Sequence, residues 1–276
     1  MSIVIDRSLS PLAMLRSVER NRRLILRLAR REVIGRYRGS LLGLAWSFFY
    51  PLLMLVVYTY MFTVVFQARW PGDAAASRSG FAVAVFAGMI VHGLFAECIN
   101  RAPGLVLNNA NYVKKTLFPL EILPWVALGS ALFHCAASLI VLLVAQWLLN
   151  GSLPGTVWLF PLVVLPLAIG SLGAAWFLAS LGVYARDVGQ VAAILTMVLM
   201  FLSPVFYPLS AVPESFRFWM QLNPLTSIIE QSRLVLIDGA MPDWTAWATM
   251  LGLSVVVAWL GFCWFQYTRK GFADVL

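Results

Sequence analysis

His92, Glu97, Asn100, His134 and Gln146, with Gln190 close behind, stand inside long apolar runs. A polar or ionisable group in such a run is expensive enough to invite a functional reading. Histidines at the depth of a carboxylate would make a proton relay, and acidic pairs in the loops would supply the base or metal ligands of a membrane enzyme. Neither pattern is legible. Glu97 and Asn100 fall near the end of their run, where Arg101 can pair with the carboxylate. His92 and His134 are single histidines near the middle of neighbouring runs, with no carboxylate at their depth. Each reads as a hydrogen bond between helices, which disfavours an ion-coupled carrier. No HExxH, Gly-x-Ser-x-Gly or GxxxxGK[S/T] occurs, so no metalloprotease pair, serine elbow or phosphate-cradling loop is expected. Asp187 is the sole acid of its short turn. Cys98, Cys135 and Cys263 lack metal-ligand spacing and read as small apolar packing residues; no metal site is expected, and no catalytic residue.

Aromatic side chains are abundant instead: eighteen Phe, eleven Trp and eight Tyr. Trp46, Phe48, Phe49 and Tyr50 cluster at one point, Tyr58, Tyr60 and Phe62 follow, and Trp176, Phe177, Tyr184, Phe201, Phe206 and Tyr207 come later. Most of these are packing or interface-belt residues. The remainder could line a pore, because aromatic faces bind the C–H faces of sugars while tolerating different hydroxyl patterns. Tyr58, Phe62, Trp176, Phe201 and Tyr207 are the candidates.

The elements that must carry these residues follow from composition. The chain is 61% hydrophobic and 12% charged, about half the charge of a soluble domain. Uncharged stretches run over 41–68, 79–96, 122–185, 188–213 and 244–268, and a bilayer core needs roughly 20 helical residues. The third stretch is broken by the turn-forming cluster 150–155. The expectation is an all-α integral membrane protein, a single domain over 1–276, with six spans at 41–67, 79–99, 121–149, 157–184, 189–208 and 244–267. The first forty residues hold ten arginines and no isolated apolar core, so no secretory signal peptide is read. Counted by alternate sides, Lys and Arg fall sixteen to four. The excess of positive charge puts both termini in the cytoplasm, and this placement argues against nucleic acid.

Three segments outside the spans are informative. Over 14–33, Arg16, Arg20, Arg23, Arg27, Arg30 and Arg31 recur at steps of three and four, with Leu15, Val18, Ile25, Leu28 and Ala29 on another face. That is an amphipathic helix lying on the membrane surface beside anionic lipid head groups or a cytoplasmic partner; Gly35 and Gly39 allow a bend into the first span, so the segment is bounded at 14–38. In the 102–124 loop, Asn108, Asn109 and Asn111 precede Tyr112, Lys114 and Lys115, with Pro119 and Pro124 after them. An Asn cap, a turn or two of helix and a proline stop suit the docking of another protein. Finally, 209–243 contains an uncharged stretch too short to cross a bilayer, broken by Pro224. Together with Pro204, Pro208 and Pro213 it reads as short re-entrant outer helices, a lid on a pathway.

The segment REVIGRYRGSLLGLAWSFFYPLLMLVVYTYMFTVVF (31–66), the loop NNANYVKKTLFPLEILP (108–124) and FLSPVFYPLSAVPESFRFWMQLNPLTSIIEQSR (201–233) together resemble the membrane subunit of ABC-2-type exporters, nearest the branch that exports O-antigen polysaccharide and teichoic acid. The resemblance spans essentially the whole chain from residue 14. It implies a multi-pass homodimer in the bacterial inner membrane with two separate ATP-binding-cassette ATPase subunits. ATP and Mg would then be bound by the partner, with no cofactor in this chain, and the cargo would be a long glycan on undecaprenyl pyrophosphate. By that similarity Asn111, Tyr112, Val113, Lys114 and Lys115 form the coupling helix, and 14–38 is the interface helix at the entry portal. Arg30, Arg31, Arg36 and Arg38 would attract the pyrophosphate there, and Pro208, Pro213 and Pro224 would shape the outer gate. Two alternatives stand beside it: an ABC-2 permease for a drug or plain lipid, and a membrane enzyme acting on lipid-linked sugars. The glycan's identity and length stay open.

Overall fold

Helix is the only regular structure among the described residues, which in this computed structural model are 10–66, 78–113 and 118–275. In chain order they are α1 (Pro11–Arg36), α2 (Trp46–Thr59) widening into a π-turn at Tyr60–Val65, α3 (Arg78–Arg101), the single turns α4 (Gly104–Leu107) and α5 (Ala110–Val113), and α6 (Leu123–Asn150). Then come α7 (Phe160–Val163), α8 (Leu165–Tyr184), α9 (Val188–Phe201), α10 (Glu214–Gln221), α11 (Pro224–Arg233) with a second π-turn at Leu234–Asp238, α12 (Trp244–Thr268) and α13 (Phe272–Val275). Lys114 and Lys115 lie outside the described residues.

Among the described residues five stretches are long and apolar enough to cross a bilayer: Gly43–Phe62, Gly80–Arg101, Leu120–Asn150, Val157–Tyr184 and Trp244–Val275. The fifth expected span departs from its 189–208 bounds. α9 stops at Phe201 after 14 residues, a rise of about 21 Å against a hydrocarbon core of about 30 Å. Pro204 follows just past its end and disfavours helical backbone at Ser203, so the helix does not continue.

The Val157–Tyr184 stretch bends between α7 and α8. Pro166 has no N–H for the carbonyl of Leu162, four residues back. The indole N–H of Trp247 on α12 donates to that oxygen at 2.8 Å, so the kink leaves no orphaned acceptor there. Farther along, α8 and α12 approach at glycine. A Cβ on Gly173 would stand 2.6 Å from the Ala258 Cα, and one on Gly261 would strike the Gly173 carbonyl. With lipid outside, helices gain little from hiding apolar surface, and close backbone packing at small residues holds them together. Gly182 does the same farther down α8, its missing Cβ making room for the Pro103 carbonyl.

α1 departs from a helix resting apolar side down on lipid. Its Ile25, with Val18, Leu28 and Ala29, packs against Ile122, Val126 and Trp125 at the start of α6. Leu15, expected on that face, is exposed. The tail comes to the same end of the bundle. Arg269 donates to the buried Glu121 carboxylate at 2.7 Å and to the Phe118 carbonyl at 3.2 Å, and Ser17 of α1 reaches the same carboxylate at 3.3 Å. Both ends of the described chain therefore meet at one end of the bundle.

Candidate functional site

Three groups of candidate residues occupy three places. At the α1 end, Arg27, Arg30, Arg31 and Arg38 line an open groove along the helix. Arg30 and Arg38 are exposed there, as expected of residues that meet an anion. Arg36 is not part of this groove. It ends α1 and turns inward, its Nη2 2.8 Å from Glu97 Oε1 on α3. Arg101 approaches the same carboxylate at 3.3 Å and also pairs with Glu32 of α1.

His134 is where the structure overturns an expectation. The sequence placed it with no carboxylate at its depth, yet its Nδ1 lies 2.8 Å from Glu97 Oε2. α6 extends well past the end of α3 on the α1 side, so the middle of the longer helix stands level with the end of the shorter one. His92, by contrast, makes the expected contact between helices, its Nε2 3.0 Å from the Thr196 carbonyl of α9. Asn100 accepts from the Thr196 hydroxyl at 2.9 Å. Below the charged cluster a cleft of about 270 Å³ runs between α2, α3 and α6, walled by Met54, Tyr58, Met89 and Leu94.

The loop that follows α3 sits beside α1. Asn109 returns its side chain to the Leu105 carbonyl at 2.9 Å and so closes α4 instead of opening α5. Asn111, Tyr112 and Val113 form the single turn of α5. Tyr112 stacks on Phe118 with ring centroids 4.1 Å apart and accepts a hydrogen bond from Arg31 at 3.1 Å. Arg31 is thus engaged by the loop as well as facing the arginine groove. Between these elements lies a polar cavity of about 500 Å³, with Arg101, Asn100 and Asn108 in its wall.

At the far end Phe62 meets Phe81 and Phe206, with ring centroids 5.0 and 6.1 Å away, and Phe206 meets Phe201 at 5.8 Å. Tyr207 donates to the Phe201 carbonyl at 2.7 Å. Trp176 does not join them. It is fully buried, with Trp125 and Phe262 edge-on and its indole N–H donating to the Glu121 carbonyl at 3.0 Å. Its surface is spent on the core of this chain, so it lines no pore. Each gate proline begins a helical segment: Pro208 precedes the turn Leu209–Ala211, Pro213 precedes α10, and Pro224 opens α11 behind an Asn223 cap that accepts from the Leu225 N–H at 3.0 Å. Proline at a first helical position gives up a hydrogen bond that would be missing anyway.

Sequence reasoning passed over the residue that ties this end together. Arg233, 4% exposed, donates to the carbonyls of Ala84 at 3.0 Å and Val205 at 2.8 Å and pairs with Glu230 at 2.9 Å. Burial lowers its pKa to about 10 and raises that of Glu230 against the pull of the guanidinium. Gly88 makes room for it, since a Cβ there would stand 3.0 Å from Arg233 Nη2. Gln146, read as a costly intramembrane polar group, caps the π-turn after α11: it donates to the Leu236 carbonyl at 2.9 Å, and Thr156 donates to that of Val235 at 2.7 Å.

The chain belongs to the ABC-2 type transporter family, whose model matches residues 23–237. Among known proteins it is similar to an O-antigen export system permease protein of Myxococcus xanthus, 29% identical over 95% of this chain and 98% of that one. A protein of the same description from Klebsiella pneumoniae is 24% identical over 92% and 95%, and a polysialic acid transport protein of Escherichia coli is 22% identical over 87% and 91%.

Proposed function

We propose that this chain is the permease subunit of an ATP-driven exporter that moves undecaprenyl-pyrophosphate-linked polysaccharide, of O-antigen type, across the bacterial inner membrane. It works as a homodimer with two ATP-binding-cassette subunits that bind ATP and Mg and hydrolyse the nucleotide. The observation that carries this reading is the near end-to-end correspondence with export permeases of that cargo. Physical features support the rest. The tail returns to the α1 side, where Arg269 meets Glu121, as an even number of crossings requires; α9 with the turns after it would be the fifth of six, and the excess of positive charge would make that side cytoplasmic. α2 and α9 leave Phe48, Leu52, Val56, Val191, Ile194 and Val198 outside the protomer, apolar surface suited to lipid and a second copy. Asn111 to Lys115 would dock on the ATPase, and the Arg31–Tyr112 hydrogen bond would pass its motion to α1. α10 and α11 would form the outer gate, dipping into the outer leaflet.

The first test is a mild-detergent purification of the chain from its native membranes, assayed for a co-purifying ATPase. The expected result is stoichiometric ATPase that is lost or uncoupled in Tyr112→Ala. Absence of ATPase while the dimer survives would remove the energy source and contradict the proposal.

A further inference from the structure

The carboxylate of Glu97 gathers donors from three helices: Arg36 of α1, Arg101 of α3 and His134 of α6. These partners are not equally committed. His134 and Arg101 are 17% and 25% exposed, and Arg101 is also held by Glu32. The Arg36 side chain is 43% exposed, so it is the partner that an incoming ligand can reach. If Arg36 leaves, Glu97 keeps two donors and no buried charge is stranded.

The guanidinium is also only half used. A planar fork of this kind binds phosphate or carboxylate through two parallel hydrogen bonds. Here Nη2 meets Glu97, while Nη1 faces His134 Nδ1 at 3.2 Å. That nitrogen is closer to Glu97 Oε2, at 2.8 Å, and a carboxylate can only accept, so Nδ1 donates its proton there; Nε2 lies 3.2 Å from the Tyr37 hydroxyl. Nδ1 therefore offers Nη1 no lone pair. A ligand with two anionic oxygens would satisfy the fork better than Glu97 does.

Two further features surround this pair. The cleft beneath it leads away from the charges along Met54, Met89, Ile90 and Leu94, the lining an apolar chain would need if the anion were its head. Just after Arg36 the backbone passes through Gly39 and Gly43 with φ of +85° and +50°, conformations open to glycine at little cost. The end of α1 is thus tied to α3 by the exposed Arg36–Glu97 pair and, one turn earlier, by Glu32–Arg101, and it joins α2 through a glycine joint, so exchange at Arg36 frees the last turn alone.

We propose that Glu97 stands in for the cargo's pyrophosphate. Between transport events it holds Arg36; a pyrophosphate on a long apolar lipid takes Arg36 from it, lays its chain in the cleft, and frees the last turn of α1 from α3. Recognition of the lipid head and release of the helix are then one event. This inference rests on the reading of the cargo as a pyrophosphate-linked lipid.

The test measures binding of undecaprenyl pyrophosphate to the permease–ATPase complex in phosphatidylethanolamine nanodiscs, for the wild type, Glu97→Gln and Arg36→Gln. Removing the competing carboxylate should tighten binding about tenfold, and removing the guanidinium should weaken it about tenfold. Inorganic pyrophosphate, lacking the chain, should bind far more weakly, and phosphatidylglycerol should not compete. A Glu97→Gln protein that folds and binds no more tightly than wild type overturns the proposal, as does equal competition by phosphatidylglycerol, which would make this a general anionic-lipid site. Should the variant fail to fold, hydrogen exchange on the wild type decides: amides over 36–45 exchange faster with the lipid bound, and unchanged exchange overturns the proposal. Wild type that does not bind the lipid at all refutes the cargo reading itself, and this inference with it. Equal binding by the wild type and both variants refutes the exchange between Arg36 and Glu97 and leaves the cargo reading standing.

Discussion

Arg233 shows how much can hang on one side chain. Its guanidinium satisfies two backbone carbonyls, Ala84 and Val205, that belong to α3 and to the turns after α9. Arg233→Met removes the donor that faces the buried Val205 carbonyl, which lies outside any helix, and parts Glu230 from its partner, a cost of about 2 kcal/mol, to be read as a lower unfolding temperature in detergent. Its neighbour makes a pH-dependent prediction. Burial raises the Glu230 pKa above its ordinary value, with Arg233 opposing and Asp238 adding a little. A folded state that holds the proton more tightly than the unfolded chain is favoured at low pH, and that advantage fades as pH rises through the raised pKa. The difference in unfolding temperature between wild type and Glu230→Gln should therefore favour wild type more at pH 5 than at pH 7.5; no change across that window would contradict the assignment. In the sequence Arg233 was one of four positive charges on the outer side. Its partners are mainly backbone oxygens far along the chain, which leave no trace in composition or spacing.

Among elements, the α8–α12 contact makes the sharpest prediction. Gly261→Leu should prevent the two helices from closing, because its side chain would occupy the Gly173 backbone. Gly252→Ala, nine residues earlier on the same helix and with no neighbour within 4 Å of a new Cβ, should be neutral or slightly stabilising, since alanine is the better helix former by about 1 kcal/mol. The yield of monodisperse protein separates the two outcomes. The spans themselves were legible to within a few residues wherever an apolar run ended in charge or in a turn cluster, as at 78–101 and 120–150. α9 was not, because apolar residues continue past the prolines that stop the helix. Nor was the packing of α1: its periodicity identified a two-faced helix, but whether the apolar face meets lipid or Ile122 and Val126 depends on where the loop before α6 returns. The small residues Ser254, Ala258 and Gly261 did carry a spacing signal for close helix packing, unused until their neighbours on α8 were known.

For the whole molecule, class and candidate elements came from patterns that survive without coordinates: arginine ahead of an aromatic apolar run, an asparagine-rich loop before lysines, and prolines after the fifth run. Side-chain direction did not. Trp176 and Phe201 look alike in the sequence as aromatics of apolar runs, yet one is core and the other is exposed. The difference is fixed by which helices pack beside α8 and α9. Likewise Arg36 was indistinguishable from Arg30 and Arg38 until α3 placed Glu97 beside it. The central claim, that this permease moves a lipid-linked glycan outward, is tested most directly by depleting the chain in its native cell and locating that glycan. Undecaprenyl-linked polymer should then accumulate on the cytoplasmic face while the surface polysaccharide disappears. Undiminished surface polysaccharide, with no lipid-linked polymer retained inside, would contradict it.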